Sequence, residues 1–505
     1  MRASSLRLVA AFAMAALALL IAAGAHRERT SALGDGLGQE NSWIRIQNVG
    51  RFPATIDVQF YDVDGRPVGT DGCPRQGGCG ELAAGFGRSF VPQGLDELSE
   101  GYRGSAFVTL DQPFVAMLAR DAFKDGKFQI SGDSLRLGTG RPTFYAPIVQ
   151  NTSRYVSRIS IENLSEDETA CVGLIYYAEG QLQPAVFDPP GPTPGCPRGG
   201  QLVQPRGTLV RDEFTLPVGM GFDGSAFIET WTNAEGTPWD EQQIAVIVDT
   251  RERDGPGLAT YRGFADDELS RVVVLPLVDR GASEGQTQWT TRFRIMSGDP
   301  TLPNEVTLRF DGIDGDGNRI EVDHTVIVHS SLTCDQAFDG LSGCLPSDVA
   351  LPASFRGTVR MQAVEPIAVV AQRRSVDGPL ADYRGFTAAE ASRQIVLPVL
   401  NKNFGPWGDD RGWNSWFRVL SFDGSTVHIR VIYFSKQFPG GLFPRSAIRI
   451  EGQGTVAQWE NRELPDGWVG SAIVVADRPV VILANLESDV FDGDPVMLYN
   501  GVSLE

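Results

Sequence analysis

The chain reads as an all-β protein, four tandem immunoglobulin-like β-sandwich repeats behind an N-terminal signal peptide. Three observations carry that reading: period-two alternation, a long internal repeat, and an apolar leader. Alternation of apolar with polar residues, as in Thr55-Ile56-Asp57-Val58-Gln59-Phe60, sends one face of a strand to a core and the other to water. Val63-Asp64-Gly65 and Asp316-Gly317-Asn318 supply hairpin turns between such strands. No long segment beyond the leader shows the 3.6-residue period of an amphipathic helix.

The repeat is visible in the first strand of each copy. It reads Trp43-Ile44-Arg45-Ile46-Gln47-Asn48, then Ile159-Ser160-Ile161-Glu162-Asn163, Phe293-Arg294-Ile295-Met296-Ser297 and Phe417-Arg418-Val419-Leu420-Ser421. Thirteen residues after the anchors Asn48, Asn163, Ser297 and Ser421 stand Tyr61, Tyr176, Phe310 and Phe434. Eight before them stand Tyr155, Trp289 and Trp413, whereas the first copy departs with Glu40. A strand opening Gly104-Ser105-Ala106 recurs as Gly224-Ser225-Ala226, Gly357-Thr358-Val359 and Gly470-Ser471-Ala472. The last three copies open on Ala146-Pro147-Ile148-Val149, Leu275-Pro276-Leu277-Val278 and Leu397-Pro398-Val399-Leu400. Fifteen residues ahead of Pro276 and Pro398 lie Tyr261-Arg262-Gly263-Phe264 and Tyr383-Arg384-Gly385-Phe386.

The anchors are 115, 134 and 124 residues apart. Solenoid repeats run about 20–50 residues, while a sandwich with its own core needs about 100. The expected division is residues 1–25 leader, 26–40 linker, and repeats at 41–146, 147–275, 276–397 and 398–505. In outline this is similar to tandem β-sandwich proteins of bacterial surfaces.

Arg2 and Arg7 precede an uncharged Ala- and Leu-rich run that ends at Ala23-Gly24-Ala25, the small-x-small pattern of signal-peptide cleavage. An uncleaved anchor is the alternative, since the run is nearly long enough to span a bilayer. After cleavage no membrane span is expected, and the chain is placed outside the cell or on its surface. Loss of the two arginines takes the net charge from −19 to −21. Such a field opposes nucleic acid and anionic lipid, so neither is an expected partner.

Six cysteines in an exported chain point to disulfides. The local pairs are Cys73 with Cys79, Cys171 with Cys196 and Cys334 with Cys344, although six cysteines admit other connectivities. Zinc would need closer thiol spacing and more than the four histidines present.

Gly132-Asp133-Ser134-Leu135 resembles the signature of the GDSL lipases and esterases, which implies Ser134 as a nucleophile. That family pairs its serine with a late Asp-x-x-His. His324 follows Glu321 at that spacing, His428 follows Ser425, and His329 likewise lacks the aspartate. The four letters also fall where later copies carry Tyr-Arg-Gly-Phe, so a connector is the competing reading. Asp314, Asp316 and Asn318 start like a calcium loop, but Arg319 and Thr325 replace the glycine and glutamate of an EF-hand. A hairpin tip, or a weak calcium site, fits those residues; no other cofactor is expected. Trp407, Phe438 and Phe443 lie in loops of the fourth copy that the repeat does not explain, and exposed aromatic tips could stack on sugar faces. The expected function is therefore a structural or adhesive surface array without catalysis. A glycan-binding protein using those aromatics is the alternative, and a GDSL-like esterase the third reading.

Overall fold

The computed structural model describes residues 39–504 except 69–79, 93–97, 100, 136–139, 197–198, 232–241, 285–286, 337–343, 347–348, 376–377, 406–411 and 445. The leader, most of the linker, Cys73, Cys79 and Trp407 lie outside the described residues. The protein is all-β: the described residues form strands, with a short 3-10 turn at Asp266–Glu268. No helix there is long and apolar enough to cross a membrane.

In the first copy the first strand and the aromatic-ended second strand lie in different sheets, whereas in the other three copies one continuous hydrogen-bonded sheet holds both. In the second copy Tyr155–Asn163 lies between Thr208–Arg211 and Ile244–Glu252, with Leu258–Arg262 at the edge. The same sheet continues through the opening strand Thr143–Asn151, which meets the first strand at Asn151 and Val156, to Phe222–Trp231 and Ala170–Ala178. In the third and fourth copies the 21-residue strands Phe355–Ser375 and Trp468–Ser488 pair with the second strand through their first half and with the first strand through their second half, which joins the two within one sheet. Alternation is met residue by residue. In Ala54–Asp62, Ala54, Ile56, Val58 and Phe60 are buried while Thr55 and Asp57 are exposed.

The opening strands explain the recurring proline. Each pairs with the Gly-Ser-Ala-type strand through a register shift, between Gly224 and Ala226, between Leu275 and Val278, and between Leu397 and Leu400. A proline cannot donate to a sheet ladder and is tolerated at a bulge. Pro147, Pro276 and Pro398 occupy those bulges, in mid-strand, so the sequence boundaries at 147, 276 and 398 fall inside strands rather than in linkers.

The cores likewise run across those boundaries. Met296, Ala368 and Val370 of the third copy complete the core of the second. Trp416, Leu420, Val481 and Leu483 of the fourth complete the third. Met117, Ala119, Phe128 and Ile130 of the first complete the fourth. The last strands Lys127–Leu135, Leu258–Arg262, Leu380–Arg384 and Val496–Asn500 touch in a cycle, each against its two neighbours, so the four copies close into a ring. Closure is sealed by Gly493–Asp494, which pairs parallel with Phe128 and Gln129. The Phe491 ring stacks on Phe128 at 4.7 Å between centroids, beside Trp413.

Candidate functional site

The centre of the ring gathers the recurring polar residues, and the GDSL-like letters are among them. Strand register makes Gly132, Tyr261, Tyr383 and Tyr499 equivalent, opposite Ala119, Val248, Ala371 and Ala484. The next residues are Asp133, Arg262, Arg384 and Asn500. The connector thus recurs four times, as Gly-Asp-Ser-Leu, Tyr-Arg-Gly-Phe twice, and Tyr499-Asn500-Gly501-Val502.

Each tyrosine holds the bulge of its own opening strand. A bulge removes backbone groups from the ladder, and buried ones need another partner. The Tyr261 hydroxyl donates to the carbonyl of Ile148 (2.8 Å) and accepts from its N–H (3.1 Å). Tyr383 and Tyr499 donate to the carbonyls of Leu277 and Val399. Burial pushes all three phenols above their ordinary range. The proline carbonyl at the bulge turns to the next copy. Arg418 donates through Nε to Pro276 O (2.5 Å), and Arg45 to Pro398 O (2.9 Å). Their equivalent Arg294 instead reaches Gly224 O at 2.5 Å, and Asp223 at 2.6 Å.

At the hub, the Asp133 carboxylate accepts from the backbone N–H of Arg262 at 3.0 Å, and from that of Ser134 at 2.7 Å. Burial pushes Asp133 up, against the opposing pull of Arg384 and Arg262. Arg262 makes a two-pronged contact with Glu268, at 2.6 and 2.8 Å, and Arg384 adds a third contact at 3.3 Å. Burial opposes ionisation of Glu268, but the two guanidinium groups win and hold it down to about 2. Asn500 exchanges bonds with the backbone of Arg384, accepting at 3.2 Å and donating at 2.9 Å. Asp494 is fully buried and accepts from Leu258 N–H (2.9 Å) and Leu380 N–H (3.0 Å), which clips the fourth copy to the second and third.

Ser134 sits in this seam rather than in a cleft. It is 6% exposed, and its hydroxyl donates to the carbonyl of Asn500. No histidine contacts it among the described bonds. His428 bonds Asp477, and both side chains are exposed at the surface of the fourth copy.

Glu40, the departure in the first strand pattern, serves the joint between the first and second copies. Arg120, Arg158 and Arg251 converge on Glu40 and Asp249, with Arg158 to Asp249 at 2.7 Å and Arg120 to Glu40 at 3.1 Å. Burial would raise Glu40, yet Arg158, Arg251 and Arg120 hold it well below the usual carboxylate range. Only the break in the aromatic slot marked Glu40 in the sequence; its partners come from strands about 80 to 210 residues away.

The other sequence candidates are scattered. Asp314 caps a tight turn, taking the N–H groups of Asp316 (2.9 Å) and Asn318 (2.8 Å) on one oxygen and the Asn318 side-chain amide (3.0 Å) on the other. Gly317 there needs its φ of +83°. Among the described residues no three His, Cys, Asp or Glu side chains are grouped to hold a metal. Phe438 packs on the core of the fourth copy, whereas Phe443 is 63% exposed. Disulfides join Cys171 to Cys196 and Cys334 to Cys344.

No family model matches the sequence, and no curated protein matches it. Among solved structures, a tetra-tandem repeat from the extending region of a large adhesion protein aligns over 94% of this chain and 97% of its own, at 10% identity and a TM-score of 0.09. A structure of infectious bursal disease virus, Gx strain, aligns over 94% and 82%, at 9% identity and a TM-score of 0.10. Likenesses this slight carry no argument about function.

Proposed function

We propose that the chain is an exported, non-catalytic protein of the extracellular space or cell surface, four immunoglobulin-like repeats closed into a rigid ring with a structural or adhesive role. The observation that carries this reading is the use of the recurring polar residues. Tyr261, Tyr383, Tyr499, Arg45, Arg418, Asn500 and Ser134 all bond buried backbone groups at bulges and seams. A catalytic site would gather unrepeated polar groups in one accessible cleft. The two disulfides suit an oxidising compartment. The test replaces Ser134 by Ala and assays ester hydrolysis beside the parent. Absence of turnover in both supports the reading, and turnover in the parent that is lost in Ser134→Ala overturns it.

A glycan-binding role is the second reading, favoured by the exposed Phe443 ring. Glycan-array binding that disappears in Phe443→Ala and Trp407→Ala, with the fold retained, would select it.

A further inference from the structure

Among the described residues, the first copy has no counterpart of one strand that the other three possess. In the second, third and fourth copies the Gly-Ser-Ala-type strand is paired on both edges, by the second strand on one side and the opening strand on the other. In the first copy Gly104–Leu110 pairs with Ala54–Asp62, and no described strand takes its other edge. The side chains beneath that edge show the loss. Ala226 and Ile228, Val359 and Met361, and Ala472 and Val474 are all 0% exposed, whereas their equivalents Ala106 and Val108 are half-buried.

Three further positions agree. In each complete copy a hydroxyl of the first strand accepts the N–H of the residue three places after the proline. Gln150 donates to Ser157 (2.9 Å), Asp279 to Thr291 (2.9 Å) and Asn401 to Ser415 (3.0 Å). The first copy keeps that hydroxyl as Ser42, half-buried, and no opening strand among the described residues donates to it. The latching tyrosine is replaced by Gly132, where a Cβ would meet Leu118 O at 2.6 Å. The first-strand arginine that reaches back to the preceding copy, to a proline carbonyl from Arg418 and Arg45 and to Gly224 O from Arg294, is replaced by Ser160.

We propose that this edge accepts an extended strand of another polypeptide, with the pattern apolar-Pro-apolar-apolar, which completes the first copy as the opening strands complete the others. The three opening strands define the occupant: main-chain hydrogen bonds along the edge, apolar side chains over Ala106 and Val108, and an N–H onto Ser42. Strand addition of this kind draws affinity from the ladder and specificity from alternate side chains. Residues 26–38 of the chain do not have that pattern. They contain no proline and alternate glycine at Gly34, Gly36 and Gly38 after the charged Arg27-Glu28-Arg29.

The experiment titrates the full mature chain with a synthetic peptide of the sequence Ser392–Lys402, followed by fluorescence anisotropy and amide hydrogen exchange. The expected result is saturable one-to-one binding, slower exchange confined to the first copy and centred on residues 104–110, and affinity reduced at least ~10-fold by Val108→Lys and severalfold by Ser42→Val. Ser42→Val guards against a Val108→Lys protein that fails to fold. The proposal is overturned by no saturable binding, by equal binding of a scrambled peptide, or by affinities that Ser42→Val leaves unchanged. It is also overturned if residues 26–38 and 104–110 are already mutually protected before peptide is added, which would place the chain's own linker in the slot.

Discussion

Replacing Tyr261 by Phe removes one oxygen and leaves the ring in place, so it opens no cavity and isolates the hydroxyl. Both backbone groups of Ile148 depend on that oxygen, and Ile148 and Tyr261 are each 0% exposed, which keeps water from substituting. An unpaired buried polar group costs about 1–3 kcal/mol, so losing two partners at once should cost about 2–5 kcal/mol. Tyr383→Phe and Tyr499→Phe each free one carbonyl and should cost about 1–3 kcal/mol, toward the low end because a carbonyl tolerates under-satisfaction better. The assay is native-state hydrogen exchange along Thr143–Asn151, Ser270–Glu284 and Ser392–Lys402, supported by urea midpoints. A loss of 2 kcal/mol corresponds to about 30-fold faster opening. Equal effects in the three variants, or a Tyr261→Phe change below about 0.5 kcal/mol, would refute the assignment of the phenol as the partner of the bulge.

Other perturbations test other joints. Phe128→Ala empties a pocket shared with Phe123, Trp413 and Phe491, should cost about 3–5 kcal/mol, and should make the first copy the earliest target in limited proteolysis. Asp382 is buried beside Gln372, and burial pushes it up to about 7. The folded chain therefore holds a proton that the unfolded chain loses near its ordinary value, and stability falls as pH rises from about 4 to about 7. Asp382→Asn should flatten that slope and raise the melting temperature at pH 8; an unchanged slope between pH 5 and pH 8 counts against it. Cys171→Ser with Cys196→Ser opens a loop closed across 25 residues and should cost about 3 kcal/mol, read as a lower thermal midpoint under non-reducing conditions. Peptide mapping that links either cysteine elsewhere would reject the pairing.

Much of the fold was legible because strand alternation is a local signal. Ile56, Val58 and Phe60 fall on the buried face their spacing predicts, and Tyr176 and Phe310, thirteen residues after their anchors, are fully buried. What covers each face is not local. Trp416 and Leu483 pack into the core of the third copy although they belong to the fourth, so three of the cores borrow from a neighbour, while Ile46, Val58 and Phe60 pack in a core of the first copy's own residues. The site was legible in part. The slot shared by Gly132-Asp133-Ser134-Leu135 and Tyr-Arg-Gly-Phe was visible from spacing to the next proline. Its fourth instance, Tyr499-Asn500-Gly501-Val502, has no following proline and no arginine, so spacing does not mark it. Asp494 takes its partners from the second and third copies, and Glu40 and Glu268 each take some of theirs from another copy, as Arg158 and Arg384 show; no short-range pattern encodes such partners.

The parallel pairing of Gly493–Asp494 with Phe128–Gln129 has a consequence for the order of events in synthesis. A polypeptide emerges from the ribosome amino end first, so residues 39–135 wait while more than 350 others are made. Until Phe491 and Asp494 arrive, Phe128 lacks its stacking partner and the amides of Leu258 and Leu380 lack their acceptor. The earliest-made part is thus among the last to be finished, and apolar surface stays uncovered throughout that interval. Nascent chains arrested before residue 490 should bind general chaperones through the first copy, and release should coincide with the final turn of the ring.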